Sequence, residues 1–435
     1  MSRRIFSSYA YGPGPRSNCW WDETIDAPVW PSLDSDKRVD VAVIGAGFTG
    51  ISSALHLAES GAEVAVLEAE TPGWGASGRN GGFCCIGGAK LGASAMTRRY
   101  GRHETQTYQA GEVEAVNLVQ GLIARHGIQA DTHSDGETIL AHTPKAARAL
   151  RQEAEEAGGD FVAGPDLPRH GLGGAFHGAL STPIGFALNP RKYLFGLAKA
   201  AQAAGALLYQ NSPALRVQRV DNSWQVQTPN GRLTADQLVI ATNGYSSEDL
   251  PDWLAGRYMP TQSTAMVTRP ITQAEQAQQG WTSAQMAYDS RHLLHYFRLM
   301  PDGRFLFGMR GGLLSSPRAE QKIRGQLRRH FEALFPEWRS IETSHIWSGM
   351  VCLSRNLVPF VGAVPDHPGL FAGLCYHGNG VAMGSYAGAL LGDLVQGKTP
   401  ARPYSKVVQQ LPRFPLGRAR RLLMPPAYAV LGLMD

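Results

Sequence analysis

Three glycines at two- and three-residue spacing, Gly45, Gly47 and Gly50, are followed by a carboxylate, Glu68, eighteen positions after the last of them (68 − 50). These residue types at this spacing suit recognition of a dinucleotide. Gly45 lets the chain turn sharply, Gly47 lets a pyrophosphate approach the backbone, and Gly50 lets a helix pack closely on a strand. An acid about 20 residues further on is placed to accept hydrogen bonds from a ribose. Ala46, Phe48 and Thr49 complete the turn and are expected on the cofactor with the glycines. A second group of candidates lies far downstream. Tyr296 and Arg298 alternate with His295 and Phe297, so in a strand the phenol and the guanidinium share one face. That pair is expected to face a pocket, with Arg298 either holding a distal carboxylate or bracing the sheet. His377, beside the glycine turn of Gly378 and Gly380, is the third candidate for a catalytic role.

The elements around these residues carry the expectation. Val39, Val41, Val43 and Ile44 read as a strand buried on both faces. Ile51, Ala54, Leu55 and Ala58 follow at helical spacing up to Gly61, and Val64 to Leu67 form a second strand ending at Glu68. This unit alone binds the ADP half of a cofactor and suits NAD as well as FAD. Two further features extend the cradle. The loop 71–84 carries glycines at 73, 75, 78, 81 and 82, and its free backbone N–H groups suit phosphate or the edge of a ring system. The segment LFAGLCYHGNGVAMGSYAGALLGDLVQG reads as strand, glycine turn and a helix of small residues, whose N-terminus is a second site for negative charge. A cradle of that length is expected to hold FAD.

Between these landmarks the pattern alternates in type. Residues 91–125 are helical, 138–140 a strand, and Asn189-Pro190 caps a helix ending near Gly205. Short strands follow, and the last ends in a small-residue turn that includes Thr242. Two alternating runs flank Pro301-Asp302-Gly303, a hairpin signal. The expected fold is α/β (α+β): a Rossmann-like FAD-binding domain of residues 1–90, 189–256 and 346–435, with a discontinuous antiparallel-sheet substrate domain of residues 91–188 and 257–345. The tryptophans at 20, 21 and 30 are expected to pack on the body, and Arg418, Arg420 and Arg421 to lie on a solvated C-terminal helix.

Composition narrows the function classes. The chain is 43% hydrophobic and 18% charged, which supports a substantial core. Its net charge of +5, scattered over 41 basic and 36 acidic residues, gives no support to nucleic-acid binding. No apolar run reaches the roughly 18 residues of a membrane span. MSRRIFSSYAYGPGP lacks the apolar stretch of a secretory signal. Cys19, Cys84, Cys85, Cys352 and Cys375 form no C-x-x-C pair, so reduced thiols in the cytoplasm and no bound metal are expected.

The ordered set of early fingerprint, acid, late strand ending ATNG and second glycine turn resembles the amino-acid oxidase-like flavoproteins, which include glycine, sarcosine and D-amino-acid oxidases. Within them SGRNGGF (77–83), YFRLMPDGRFLFG (296–308) and WSGMVCLSRNLVPFVG (347–362) look most like the γ-glutamylputrescine oxidoreductase branch. The resemblance covers nearly the whole chain. It implies that Gly45, Gly47 and Gly50 lie on the pyrophosphate and Glu68 on the adenosine ribose. It also implies that Ser77, Asn80, Gly81 and Gly82 approach the pyrophosphate and flavin, that Ala214 meets the adenine, and that Gly378, Asn379, Gly380 and Val381 lie beside the isoalloxazine. Three departures bear on the substrate. The arginine that clamps an α-carboxylate in glycine and D-amino-acid oxidases is absent from Gly349-Met350-Val351. The cysteine that carries a covalent flavin in sarcosine oxidases aligns with Gly349, with Cys352 three residues on, so a non-covalent FAD is expected. The lysine of sarcosine oxidases after the second glycine turn is replaced by Ala382.

Loss of both carboxylate anchors, the arginine and the lysine, points to an amine without a clamped α-carboxylate, such as γ-glutamylputrescine. The expected reaction is oxidation of a C–N bond by hydride transfer to flavin N5, giving an imine and then an aldehyde or keto product. The electron acceptor, oxygen or another, is left open. The alternatives are a D-amino-acid or N-methyl-amino-acid (sarcosine-like) oxidase or dehydrogenase, and a non-redox lyase or deglycase retaining FAD.

Overall fold

The run Lys37–Ile44 forms the strand its β-branched residues predict, with Val41, Ala42 and Val43 fully buried. The structure is a computed structural model that describes residues 3–157 and 159–435. Residues 1, 2 and 158 of the expected domain ranges lie outside the described residues. Lys37–Ile44 sits between Val64–Leu67 and Arg232–Ile240 and is parallel to both. The main row of this first sheet is Phe360–Ala363, Leu370–Leu374, Arg232–Ile240, Lys37–Ile44, Val64–Leu67 and Leu207–Tyr209. All neighbours in it are parallel except the first pair. A hairpin of Arg216–Val220 and Ser223–Gln227 joins the early half of Arg232–Ile240. The parallel strands therefore end along one edge, where ligands of open α/β sheets bind.

Two helices bring their N-termini to that edge. Phe48–Glu59 follows the glycine turn, and Ala382–Val395 follows the second turn. Small residues let them touch: a Cβ on Gly388 would lie 2.5 Å from the Ser52 Cβ and 2.6 Å from the Thr49 carbonyl. The Ser52 and Ser53 hydroxyls donate to the carbonyls of Ser385 and Gly388, at 2.7 and 3.1 Å. Side-chain volume was removed from this helix pair so that two positive dipole ends converge.

The second sheet runs in the order Thr343–Leu353, Met259–Thr268, Phe305–Arg310, His295–Leu299, Met286–Asp289, Glu137–Leu140, Gly178–Thr182 and Phe161–Ala163. Its pairs are antiparallel except Met286–Asp289 with Glu137–Leu140. The expected hairpin is present, with Gly303 at φ +77° in its turn. One face carries an aromatic core of Trp281, Phe297, Phe305, Phe307, Phe331, Phe335 and Trp338, all fully buried. Residues 346–353 pair in this sheet with Met259–Met266. The helical stretch 91–125 is two helices, Ala93–Tyr100 and Arg102–Arg125, divided at Gly101 with φ +88°. Asn189 caps Pro190–Ala203, its side-chain oxygen accepting from the N–H groups of Arg191 and Lys192. Arg420 departs from expectation: it is buried, donating from Nε to the Tyr258 carbonyl and pairing with Glu248 at 2.7 Å. No helix among the described residues is long and apolar enough to cross a membrane.

Candidate active site

A cavity of about 500 Å3 opens along the carboxyl edge of the first sheet. It extends from Pro213, Ala214 and Leu215 past Gly45–Thr49, Glu68 and Thr242 to Gly378, Gly380 and Val381. Glu68 is fixed on its floor: one carboxylate oxygen accepts from the Ala46 N–H at 3.0 Å and the other from the Glu70 N–H at 3.1 Å. Burial pushes its pKa up, partly countered by those N–H donors. The hydroxyl of Ser77 accepts from the Phe48 N–H at 3.0 Å, so the loop after Glu68 caps the fingerprint helix from outside. A Cβ on Gly47 would lie 2.9 Å from that hydroxyl. At Gly50 it would lie 1.9 Å from the Gly45 carbonyl, so only glycine lets the helix start this close to the turn.

Three donors hold three consecutive carbonyls of the loop that follows. Trp347 Nε1 donates to Arg79 O at 2.7 Å, Trp21 Nε1 to Asn80 O at 2.8 Å, and Arg298 Nε to Gly81 O at 3.1 Å. Asn80 locks the same loop from within, donating to Ala76 O and Ser77 O and accepting from the Gly82 N–H at 2.8 Å. With its carbonyls tied outward, residues 79–81 are oriented against the cavity wall by side chains from the N-terminal segment and both strands of the second sheet that reach it.

A second cavity of about 300 Å3 adjoins the first. Ala76, Asn80, Met350, Val351, Gly378 and Val381 line both and mark the junction. Tyr296 forms part of its wall, its ring edge-on to Phe83 at 5.6 Å and its hydroxyl 3.2 Å from Ser263 Oγ. Glycines make room for that ring, since a Cβ on Gly308 would lie 2.1 Å from it and one on Gly81 2.7 Å. Burial raises the Tyr296 pKa, so it is a neutral phenol. Asn379 donates to Ile86 O at 2.6 Å and draws the segment 85–90 across the glycine turn. Arg310 donates to His377 O at 2.8 Å and stands beside that turn. Arg79, Lys90 and Glu137 complete the charged lining.

Two candidates are placed otherwise than the sequence suggested. Arg298 does not line either cavity. Its remaining groups meet Leu188 O at 2.7 Å and His133 Nε2 at 2.9 Å, so the guanidinium braces the loop and reaches no substrate space. His377 lines the first cavity, but its imidazole is buried and engaged. The Ser354 N–H donates to Nε2 at 3.2 Å, which leaves the proton on Nδ1 to bond Gly88 O at 2.8 Å. Burial lowers its pKa to about 4, so the ring stays neutral and structural. Gly50 and Gly82 also lie behind the cavity wall; a Cβ on Gly82 would lie 2.0 Å from Leu188 O. The remaining candidates, Ala46, Phe48, Thr49, Ser77, Ala214, Thr242, Asn379 and Val381 among them, line one cavity or both. The clamping tryptophans and the charged residues Lys90, Glu137 and Arg310 were not singled out from sequence.

The first cavity fits an extended dinucleotide. It has an acid at the ribose position, glycines that a Cβ would close, and two helix N-termini for negative charge. The buried Tyr245 hydroxyl and Arg79 Nη2, at the junction end, lack any hydrogen-bond partner within the protein.

Comparison with known proteins agrees with this geometry. The family model described as "FAD dependent oxidoreductase" (DAO) matches residues 40–394. The chain is 31% identical over 428 residues to the probable oxidoreductase OrdL of Rhizobium meliloti, covering 96% of this chain and 97% of that protein. It is 27% identical over 400 residues to the gamma-glutamylputrescine oxidoreductase of Escherichia coli, covering 91% of each. Glycine oxidase from Geobacillus kaustophilus has the same fold, with a TM-score of 0.70 at 22% identity over 87% of this chain and 99% of that one.

Proposed function

The chain belongs to the FAD dependent oxidoreductase (DAO) family, and from that premise we propose that it oxidises the C–N bond of an amine lacking a clamped α-carboxylate, of the γ-glutamylputrescine type. Bound FAD would supply the two-electron oxidant for the carbon–nitrogen bond, and the imine product would be hydrolysed by water. The observation that carries the reading is the second cavity, which meets the first where Gly349-Met350-Val351 carries no arginine of its own and where Arg79 Nη1 is committed to the Ser348 carbonyl. Arg310, fixed beside the glycine turn, disfavours an ammonium there and so favours the neutral amine that can give up hydride. Tyr296, Phe83 and Trp347 wall the space and orient an aliphatic chain. Gly45, Gly47 and Glu68 would hold the ADP half, residues 77–81 the pyrophosphate and ring edge, and Gly378–Val381 the isoalloxazine side. In this reading residues 1–90, 189–256 and 346–435 make up the FAD-binding part, apart from 346–353, which continue the second sheet, and 91–188 and 257–345 the substrate part. The cofactor is non-covalent, since Cys352 packs on Cys375 with their sulfurs 3.6 Å apart. The protein works in the cytoplasm, in keeping with five free thiols.

A second reading rests on Arg310 itself: its uncommitted N–H groups beside Gly378 could clamp the carboxylate of a D-amino or N-methyl amino acid. Anaerobic addition of γ-glutamylputrescine, putrescine, sarcosine and D-alanine to the yellow protein separates the two. Bleaching by γ-glutamylputrescine ahead of the small amino acids is the expected order, and bleaching by sarcosine or D-alanine alone would replace the first reading by the second.

A further inference from the structure

We propose that Glu137 and Lys90 form a two-signed subsite that takes an α-amino-acid head group, its ammonium on Glu137 and its carboxylate on Lys90. Both line the second cavity but not its junction with the first, so they stand apart from the reacting end. The inference rests on the amine-oxidising reading above and specifies the far end of that substrate.

Glu137 is the opening residue of the strand Glu137–Leu140 and is only 3% exposed. A buried carboxylate is ordinarily paired. Among the described residues Glu137 has no cation within 4.0 Å, and the group that helps hold its carboxylate pKa down is the Cys85 thiol, a weak donor. Burial, with Glu112 nearby, raises its pKa to about 7. Lys90 is the complement: it lines the cavity without a carboxylate within 4.0 Å among the described residues, and desolvation of its ammonium, with Arg310 adding repulsion, lowers its pKa to about 8. Two opposite charges lining one cavity without an ion pair between them leave a gap. A ligand with both signs at one end closes it, each charge supplying what the other side lacks. A plain monoamine offers nothing to Lys90, and a dicarboxylate offers nothing to Glu137. The chemistry selects an amine whose far end is a zwitterionic amino acid.

The test uses the yellow holoenzyme, Glu137→Gln and Lys90→Met, with two probes: N-butyl-γ-glutamylamide, which carries the head group but no amine at its alkyl end, and butylamine, which carries neither charge at its far end. Calorimetric binding gives the preference for the amide over butylamine. Loss of one charged hydrogen bond corresponds to roughly ten- to hundredfold. Each variant is expected to lower the preference by at least about tenfold, and to raise KM for γ-glutamylputrescine more than it lowers kcat. Retained flavin absorbance and an unbroken melting transition certify the fold. An unchanged preference in both variants overturns the subsite, even if γ-glutamylputrescine bleaches the flavin. If no amine bleaches it but the variants still abolish the preference, the subsite stands and the amine-oxidising reading falls.

Discussion

Replacing Arg298 by methionine separates a loop anchor from a substrate-binding residue. The guanidinium is fully buried, has no carboxylate within 4.0 Å among the described residues, and holds Gly81 O, Leu188 O and His133. Three hydrogen bonds from a charged donor are worth roughly 5–9 kcal/mol together. Burial works against them: it lowers the pKa from 12.5 to about 9, a cost to the cation of about 5 kcal/mol. The two terms largely offset, so Arg298→Met is expected to lose only about 2 kcal/mol of folding stability. The larger consequence is local. Gly81 O loses its tether while Trp21 and Trp347 keep theirs, so residues 79–81 no longer present a fixed wall. FAD affinity should fall at least about tenfold, measured by fluorescence titration of the apoprotein, with KM for the amine unchanged once FAD saturates. A raised KM with unaltered FAD affinity would refute the bracing role and return Arg298 to the substrate.

Other perturbations probe the remaining parts of the account. Gly50→Ala places a methyl 1.9 Å from Gly45 O; purified protein should be nearly colourless, with FAD affinity down roughly hundredfold, as equilibrium dialysis would measure. His377→Ala should cost about 2–3 kcal/mol in urea unfolding through the lost contacts to Gly88 and Ser354. It should leave the kcat profile of FAD-saturated enzyme without a missing ionisation between about pH 5 and 8, because the ring is already neutral there. Glu137 has its folded pKa raised from 4.5 to about 7, so the stability it contributes is present below pH 4.5 and lost as pH rises through 7. Glu137→Gln should therefore be more stable than the parent at pH 8, by up to about 3 kcal/mol, and nearly equal to it at pH 4. Urea midpoints at the two pH values check this.

The parts of this molecule legible in its sequence are those written in local spacing. The fingerprint from Val39 to Glu68 declares itself because strand period, glycine offsets and a terminal acid lie within one βαβ unit. The hairpin at Pro301–Gly303 and the cap at Asn189 follow the same logic. The loop clamp has no such signature. Trp21 and Trp347 reach carbonyls 59 and 268 positions away, and nothing near either tryptophan records which carbonyl its N–H meets. Alternation correctly put Tyr296 and Arg298 on one face, yet it could not tell that Gly308 clears space for the phenol while the Gly82 loop absorbs the guanidinium. Glu137 and Lys90 were hidden in a strand and a glycine-rich segment, where one charged residue reads as a surface position. Arg420 shows the converse, a basic run on an expected solvated helix in which one member is drawn inward by Glu248.

The central claim is that this chain couples C–N oxidation to FAD reduction, and the anaerobic half-reaction measures it directly. One equivalent of γ-glutamylputrescine should bleach the flavin completely and release one equivalent of ammonia with the aldehyde. Ammonia released while the protein stays yellow, or no change in either, would contradict it.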